Sequence, residues 1–153
     1  MKILLSLLLL LSFVTLAEPQ ELYWEDLIPT DFVLPEQQVD HDGSKNQQQS
    51  PYAPVVNELD GKLVKIPGFV VPLEGENQLL TEFLLVPFFG ACIHVPPPPA
   101  NQIVYVTFDT AAEIPSMYDP IWIVGTLSTK EWKGDIATVG YRLSGIQVLP
   151  YEG

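Results

Sequence analysis

The sequence predicts a mainly-β fold, a small OB-like five-stranded barrel, with a small open β-sandwich as the alternative. Five short segments are rich in β-branched and aromatic residues, and glycine, proline or acidic residues separate them. These segments span 62–73, 82–86, 102–108, 120–127 and 138–149. Glycine interrupts the first and the last segment, which is the pattern that the bends of a closed barrel require.

The first segment alternates in a way typical of a strand that bends. Val64, Ile66 and Val70 share one phase, and Gly68 marks a kink between the second and third of them. Between the third and fourth segments, the pair 111–112 is alanine, and we expect a short helical turn there. A small helix at this place would fit an OB-like order of elements.

The last segment contains a change of phase. Tyr141 and Leu143 point to one face of a regular strand, whereas Ile146 and Val148 fall on the other. One extra residue near Gly145 would return both pairs to the core. The sequence therefore predicts a β-bulge at Gly145, which bends the strand as barrel closure requires.

Residues 1–17 have the features of a signal peptide. Lys2 precedes a largely apolar run over 3–11, and small residues stand at the cleavage position before Glu18. The run is too short to span a bilayer comfortably, so we expect no stable membrane insertion after cleavage. The expected location of the mature protein is periplasmic or secreted.

The remaining chain divides into three parts. Residues 18–36 form an N-terminal docking segment, in which 21–28 predicts two turns of helix that end before Pro29. Residues 37–60 are acidic and almost without large apolar side chains over much of their length, which predicts a flexible linker. Residues 61–153 form the barrel domain.

The charge of the chain limits its partners. The 153 residues carry a net charge of −12, and loss of Lys2 with the signal leaves six basic against 19 acidic residues, or −13. Such a field repels a phosphate backbone, so nucleic acid is excluded as a partner. Cations are the ligands that this field would concentrate.

The residues with the richest chemistry lie together in one stretch. Cys92 is the only cysteine, His94 is one of two histidines, and four prolines follow at 96–99. In an extended segment, residues two apart point to the same face and lie about 6–7 Å apart. A thiolate and an imidazole so placed can share one metal ion, and zinc accepts both ligands. One cysteine leaves no internal disulfide.

Spacing leaves the other ligands of such a metal open. Glu74 and Glu82 are expected near the ends of neighbouring strands, and Tyr118 or Asp119 can approach from a later loop. Two other interpretations of Cys92 remain: a buried structural side chain, or a nucleophilic thiolate. The proline run either stiffens the site as a polyproline II segment or forms a docking surface for an aromatic-lined partner.

The chain resembles the uncharacterised bacterial family known as domain of unknown function 3299. The resemblance is carried by the segments 24–29, 64–74, 81–99, 119–122 and 125–127, with the Cys-x-His-x-Pro sequence as the most specific. The family consists of exported proteins, often lipoproteins, and this chain departs from it by having no lipidation cysteine after the signal. Some relatives resemble accessory proteins of zinc-responsive transport systems. The resemblance implies Glu74, Glu82, Cys92 and His94 as site residues.

Together these observations predict an exported accessory protein that binds zinc, another transition metal or a small ligand at the loop of Cys92 and His94. It would assist metal handling or envelope transport, with envelope transport proteins as partners. The competing hypothesis is a protein-interaction module in which Cys92 is structural and Pro96–Pro99 form the docking surface. A thiol enzyme is the third hypothesis.

Overall fold

The structure is a computed structural model that describes residues 18–33, 48, 50–92 and 96–152. The predicted signal peptide lies outside the described residues. So do residues 34–47 and 49, which include most of the predicted linker before position 50, and so does His94. None of the helices among the described residues has the length and apolar character needed to cross a membrane.

The described chain is built mainly from strands. The strands are β1 (Gln20–Glu21), β2 (Leu63–Glu76), β3 (Leu79–Val86), β4 (Val104–Glu113), β5 (Ile121–Ser128), β6 (Trp132–Lys133), β7 (Thr138–Val139) and β8 (Tyr141–Pro150). Short 3₁₀ helices cover Trp24–Leu27, Asn57–Leu59 and Ala100–Gln102. The five long strands correspond to the five segments that the sequence predicts.

These five strands close into a barrel in the order β2, β3, β4, β8, β5 and back to β2. Neighbouring strands are antiparallel except β4 and β8, which pair in parallel. β1 adds a short parallel extension beside β2. The predicted small OB-like barrel is therefore confirmed, because five strands close on themselves with the third and fifth side by side.

β2 pairs with both β3 and β5, and this double pairing closes the barrel. Its residues from Leu63 to Gly68 pair with β5, and those from Phe69 onward pair with β3. At the change of partner, a side-chain carbon on Gly68 would lie 2.7 Å from the carbonyl oxygen of Val86. Only glycine fits this close approach of two backbones, so the kink predicted at Gly68 is where the barrel turns its corner.

The bulge predicted at Gly145 is also present. Val124 pairs with Gln147 and Gly125 pairs with Gly145, so Ile146 is the extra residue in β8. The ring of Phe108 occupies the space that a side chain on Gly145 would need. Ile146 is exposed because it is the bulged residue itself, contrary to the expectation that it would return to the core.

The barrel interior is filled by apolar side chains from all five strands. Phe83, Leu85, Val106, Ile123 and Leu143 are fully buried there, together with Val64, Ile66 and Val70 of β2. The predicted common phase of these β2 residues is thus confirmed.

Tyr141 is buried in this interior and joins it to the N-terminal part of the chain. Its hydroxyl donates to the carbonyl oxygen of Leu27 at 2.9 Å and accepts from the backbone N–H of Val56 at 2.6 Å. Both partners lie before the first barrel strand, so one buried hydroxyl fixes two N-terminal segments against the barrel. Burial raises the pKa of Tyr141 to about 12.

The N-terminal segment forms a single 3₁₀ turn at Trp24–Leu27 instead of the predicted two turns of helix. The backbone N–H of Tyr23 donates to Asp26 at 2.8 Å, and the Gln102 side chain donates to the carbonyl of Trp24 at 2.8 Å. Leu27 is fully buried in the barrel core. Local caps and tertiary contacts therefore select the tighter turn over a longer helix.

The helical turn predicted around 111–112 is wrong. β4 continues through Glu113, and Ala112 pairs with Leu80 of β3. Ala111 is exposed and Ala112 is half-buried near the end of this strand, where cross-strand hydrogen bonding outweighs their helical preference.

A second apolar cluster covers the outer face of β2, β3 and β4. It includes Leu84, Val86, Ile103, Val139 and Ala91, with Phe88, Cys92 and Trp132 packed against it. The cover consists of the loop after β3 and the hairpin made by β6 and β7, which pair as Trp132 with Val139. This hairpin was not predicted.

Candidate functional site

The loop between β3 and β4 contains the predicted site residue Cys92. It leaves the barrel after Val86, turns at Gly90, and returns through the 3₁₀ helix Ala100–Gln102. Gly90 has a φ of 84° and Cys92 a φ of 66°, both in the left-handed region. A non-glycine residue in that region costs free energy, and such residues are concentrated at functional sites.

The thiol of Cys92 is half-buried against the outer apolar cluster. Burial raises its pKa to about 11, above the ordinary value of 9.0. A thiolate nucleophile requires the opposite shift. The described surroundings of Cys92 therefore favour a protonated thiol at neutral pH and give no support to thiol catalysis.

Glu74 and Glu82, the two predicted carboxylate ligands, face each other across β2 and β3 in the strand register. Glu74 is exposed and Glu82 is half-buried. The hydroxyl of Tyr105 donates to Oε2 of Glu82 at 2.6 Å. Burial and this hydrogen bond raise the pKa of Tyr105 to about 12. Glu82 is thus oriented by a neighbour on β4 that the sequence analysis did not single out.

His94 lies outside the described residues, so its position relative to Cys92 is not part of the site geometry. Among the residues that the structure describes, no three histidine, cysteine or acidic side chains gather at one point. Cys92, Glu74 and Glu82 therefore do not form a complete metal site by themselves.

The proline run is largely covered. Pro97, Pro98 and Pro99 are buried, and Pro96 is half-buried. The side chain of Gln48 donates to the carbonyl of Pro98 at 3.0 Å. Buried prolines stiffen the return of the loop but present no free polyproline ridge to a partner.

Gln48 also holds the hairpin in place. Its amide nitrogen donates to the carbonyl of Thr138 at 2.6 Å, and its amide oxygen accepts from the N–H of Thr138 at 2.7 Å. The carboxamide thus imitates a strand neighbour along β7. Nothing in a glutamine-rich stretch of sequence identifies which glutamine takes this role.

An apolar cleft of about 210 Å³ lies beside the loop. Phe89 is 53% exposed and its ring centre lies 6.1 Å from that of Phe69 and 5.9 Å from that of Tyr118. Tyr118 therefore does approach the loop from the later segment, as the sequence analysis allowed, but its ring meets Phe89.

Trp132 and Tyr105 form the second aromatic feature that the sequence analysis missed. Their ring centres are 4.2 Å apart and their planes differ by 8°. Gly134 makes room for this stack, because a side chain there would collide with the indole of Trp132, but no pattern in the sequence indicates the pairing of the two rings. The stack places an aromatic wall next to Glu82.

The chain is similar to a known protein family and to a solved structure. The model of a family described as protein of unknown function (DUF3299) matches residues 24–150. The crystal structure of a DUF3299 family protein from Pseudomonas aeruginosa PAO1 is similar, with 45% sequence identity and a TM-score of 0.80. The alignment covers 90% of this chain and 99% of that one. No curated protein matches the chain.

Proposed function

This chain belongs to the DUF3299 family of proteins of unknown function, and we propose that it is an exported accessory protein that binds a transition metal, zinc first, at Cys92 and His94. The observation that carries the proposal is the left-handed backbone at Cys92, the only cysteine, two residues before His94. Backbone of this kind persists where its surroundings hold it, and binding sites use it to preset a ligand.

The segments around the pair support a preorganised loop. Ala91 is buried immediately before Cys92, and Pro97–Pro99 are buried soon after His94. Both ends of this short stretch are therefore fixed to the barrel, which lowers the ordering cost of metal binding. Glu74 and Glu82 are the proposed further ligands, and the acidic charge of the chain favours a cation.

The high pKa of the Cys92 thiol predicts a pH dependence of zinc binding that can be tested. Zinc binds the thiolate, so each zinc that binds Cys92 must release the proton that the buried thiol holds. Zinc affinity should therefore rise with pH across the neutral range. The same high pKa opposes nucleophilic catalysis, which needs a thiolate before substrate arrives.

The test is zinc binding to the mature chain from Glu18, measured by calorimetry and by metal analysis after gel filtration. We expect about one zinc per chain, with loss of binding in Cys92→Ser and in His94→Ala. His41→Ala removes the other histidine of the chain and is the matched control, with binding unchanged. Glu74→Gln and Glu82→Gln identify which carboxylate completes the site.

Unchanged zinc stoichiometry in a Cys92→Ser, His94→Ala double variant would overturn the proposal. An equal loss of zinc in His41→Ala would do the same, because it would place the metal elsewhere.

A second candidate function is protein interaction, and the exposed rings of Phe89 and Tyr118 favour it. Large aromatic side chains on a surface are typical of binding patches. The buried prolines do not contribute to this surface, so the aromatic pair replaces them as the docking element. This candidate predicts that Phe89→Ser with Tyr118→Ser releases a co-purifying envelope protein while zinc binding persists.

A further inference from the structure

A cleft of about 310 Å³ lies between the outer face of β3 and the hairpin of β6 and β7. It is separate from the apolar cleft beside Phe89, which has a different set of walls. Its walls are Leu73, Glu82, Trp132, Gly134, Asp135 and Ile136. In OB barrels, ligands bind on the outer face of the second and third strands, next to the connection between the fourth and fifth. This cleft occupies that place in the topology.

One wall of the cleft is a fixed aromatic ring. Trp132 lies flat on Tyr105, and the absence of a side chain on Gly134 makes room for the indole. The N–H of Gly134 donates to the carbonyl of Ala137 at 3.0 Å, which tightens the hairpin turn. The indole is therefore held in one orientation before a ligand arrives.

The charged groups of the cleft are both acidic. Glu82 is half-buried and receives one hydrogen bond from Tyr105, which leaves the other lone pairs of its carboxylate for a ligand. Asp135 contributes the second carboxylate from the hairpin. Over the described part of the chain, the ion pair formed is Lys65 with Glu21, so neither cleft carboxylate is in a salt bridge with a described basic side chain.

We propose that this cleft binds a small organic cation, a protonated alkyl amine. In an alkyl diamine the two ammonium groups would donate to Glu82 and Asp135, and the alkyl chain between them would lie against Trp132 and Leu73. Carboxylates and an aromatic ring together attract a cation through charge-assisted hydrogen bonds and the electron-rich ring face. Oligosaccharides are a common class of OB-barrel ligand, but a neutral sugar would leave the two carboxylates without a positive partner.

Glu82 is named in both proposals, so putrescine binding is measured with zinc removed by EDTA, which separates the two. Putrescine is titrated into the mature protein in EDTA at low salt, with binding followed by ligand-observed NMR and calorimetry. The neutral diol 1,4-butanediol has the same chain length and is titrated in parallel. We expect putrescine to bind and the diol to bind at least about tenfold more weakly, because only the amine pairs with carboxylates.

Variants assign the binding to the cleft. Glu82→Gln and Asp135→Asn keep the side-chain shape, and each should weaken putrescine binding by about tenfold. Trp132→Leu should weaken it by about threefold. Asp119→Asn removes an exposed charge that does not line this cleft and should leave binding unchanged.

The proposal is overturned if wild-type protein does not bind putrescine at millimolar concentration, or if the diol binds equally well. It is also overturned if Glu82→Gln and Asp135→Asn stay within about twofold of wild type. An equal loss in Asp119→Asn would contradict it too, because overall charge and not the cleft would then explain binding. Circular dichroism of each variant confirms that the barrel is folded.

Discussion

The inner face of β3 carries Phe83 and Leu85 into the barrel core, whereas its outer face carries Glu82 beside Leu84 and Val86. The inner face is packed against side chains from the other barrel strands, which surround it on all sides. The outer face is covered by a loop and a short hairpin, which leave clefts at their edges. Chemistry-bearing side chains therefore collect where irregular cover meets a regular sheet.

This contrast has an energetic basis. A barrel interior excludes water completely, so a carboxylate there would lose its hydration without return. The outer face retains access to solvent at the edges of its cover, and Glu82 lies there with a hydrogen bond from the hydroxyl of Tyr105. Substitutions inside should therefore affect stability most, and those outside should affect binding most.

The largest expected effect comes from Phe83→Ala, which leaves a cavity in the barrel core. We expect a loss of about 3–5 kcal/mol in the free energy of unfolding, measured by urea denaturation. Phe89→Ala removes the same ring from the exposed outer patch and should change stability by no more than about 0.5 kcal/mol. Equal losses in the two variants would remove the distinction between the faces.

Tyr141→Phe tests the buried hydroxyl that fixes two N-terminal segments to the barrel. The variant leaves the carbonyl of Leu27 and the N–H of Val56 without that partner, so we expect a loss of about 1–3 kcal/mol. Tyr151→Phe is the matched control at a partly exposed position and should be close to neutral. A neutral Tyr141→Phe would show that the N-terminal segments are held by other contacts.

Tyr105→Phe makes the matching change on the outer face and should cost about 0.5–1.5 kcal/mol. The pKa of Tyr105 is raised from 10.0 to about 12, so the folded state holds this proton more tightly than the unfolded state. Its contribution is complete below pH 10 and is lost as the pH rises through about 12. Urea midpoints of wild type and variant should therefore converge above pH 10, and parallel curves would contradict this.

Cys92 gives the smallest effect on stability but a clear chemical signature. Its thiol pKa of about 11 predicts that alkylation by iodoacetamide rises with a midpoint near pH 11, against 9.0 for an ordinary thiol. Any stability that the buried thiol contributes is likewise complete below pH 9 and is lost as the pH rises through about 11. A midpoint at or below pH 9 would instead indicate an activated cysteine and revive the thiol-enzyme hypothesis.

Much of the barrel was predictable because strand phase is a local property. The alternation of Val64, Ile66 and Val70 and the slip at Gly145 identify an inner face and a bulge without knowledge of any partner strand. The end of β4 was not predictable in the same way. Ala112 is in a strand because Leu80 lies opposite, and nothing near position 112 in the sequence specifies that pairing.

The candidate site was predictable only in part, because some of its contacts join segments that are distant in the sequence. Cys92 stands out by its rarity, and the strand register sets Glu74 opposite Glu82. The hydrogen bond from Tyr105 to Glu82 and the stack of Trp132 on Tyr105 join strands and hairpin that are distant in the chain. Such contacts follow from the closed barrel and not from spacing.

The two-sided pairing of β2 also has a consequence for how the chain folds. The hairpin of β2 and β3 can form early because its partners are near in sequence, but Leu63 must find Thr126 before the barrel closes. Contacts of such long range slow folding, so a time of about milliseconds to seconds is expected for a barrel of this kind. Until closure, the first half of β2 is an unpaired edge that another chain can extend. The corner at Gly68 therefore separates an early folding unit from a late one.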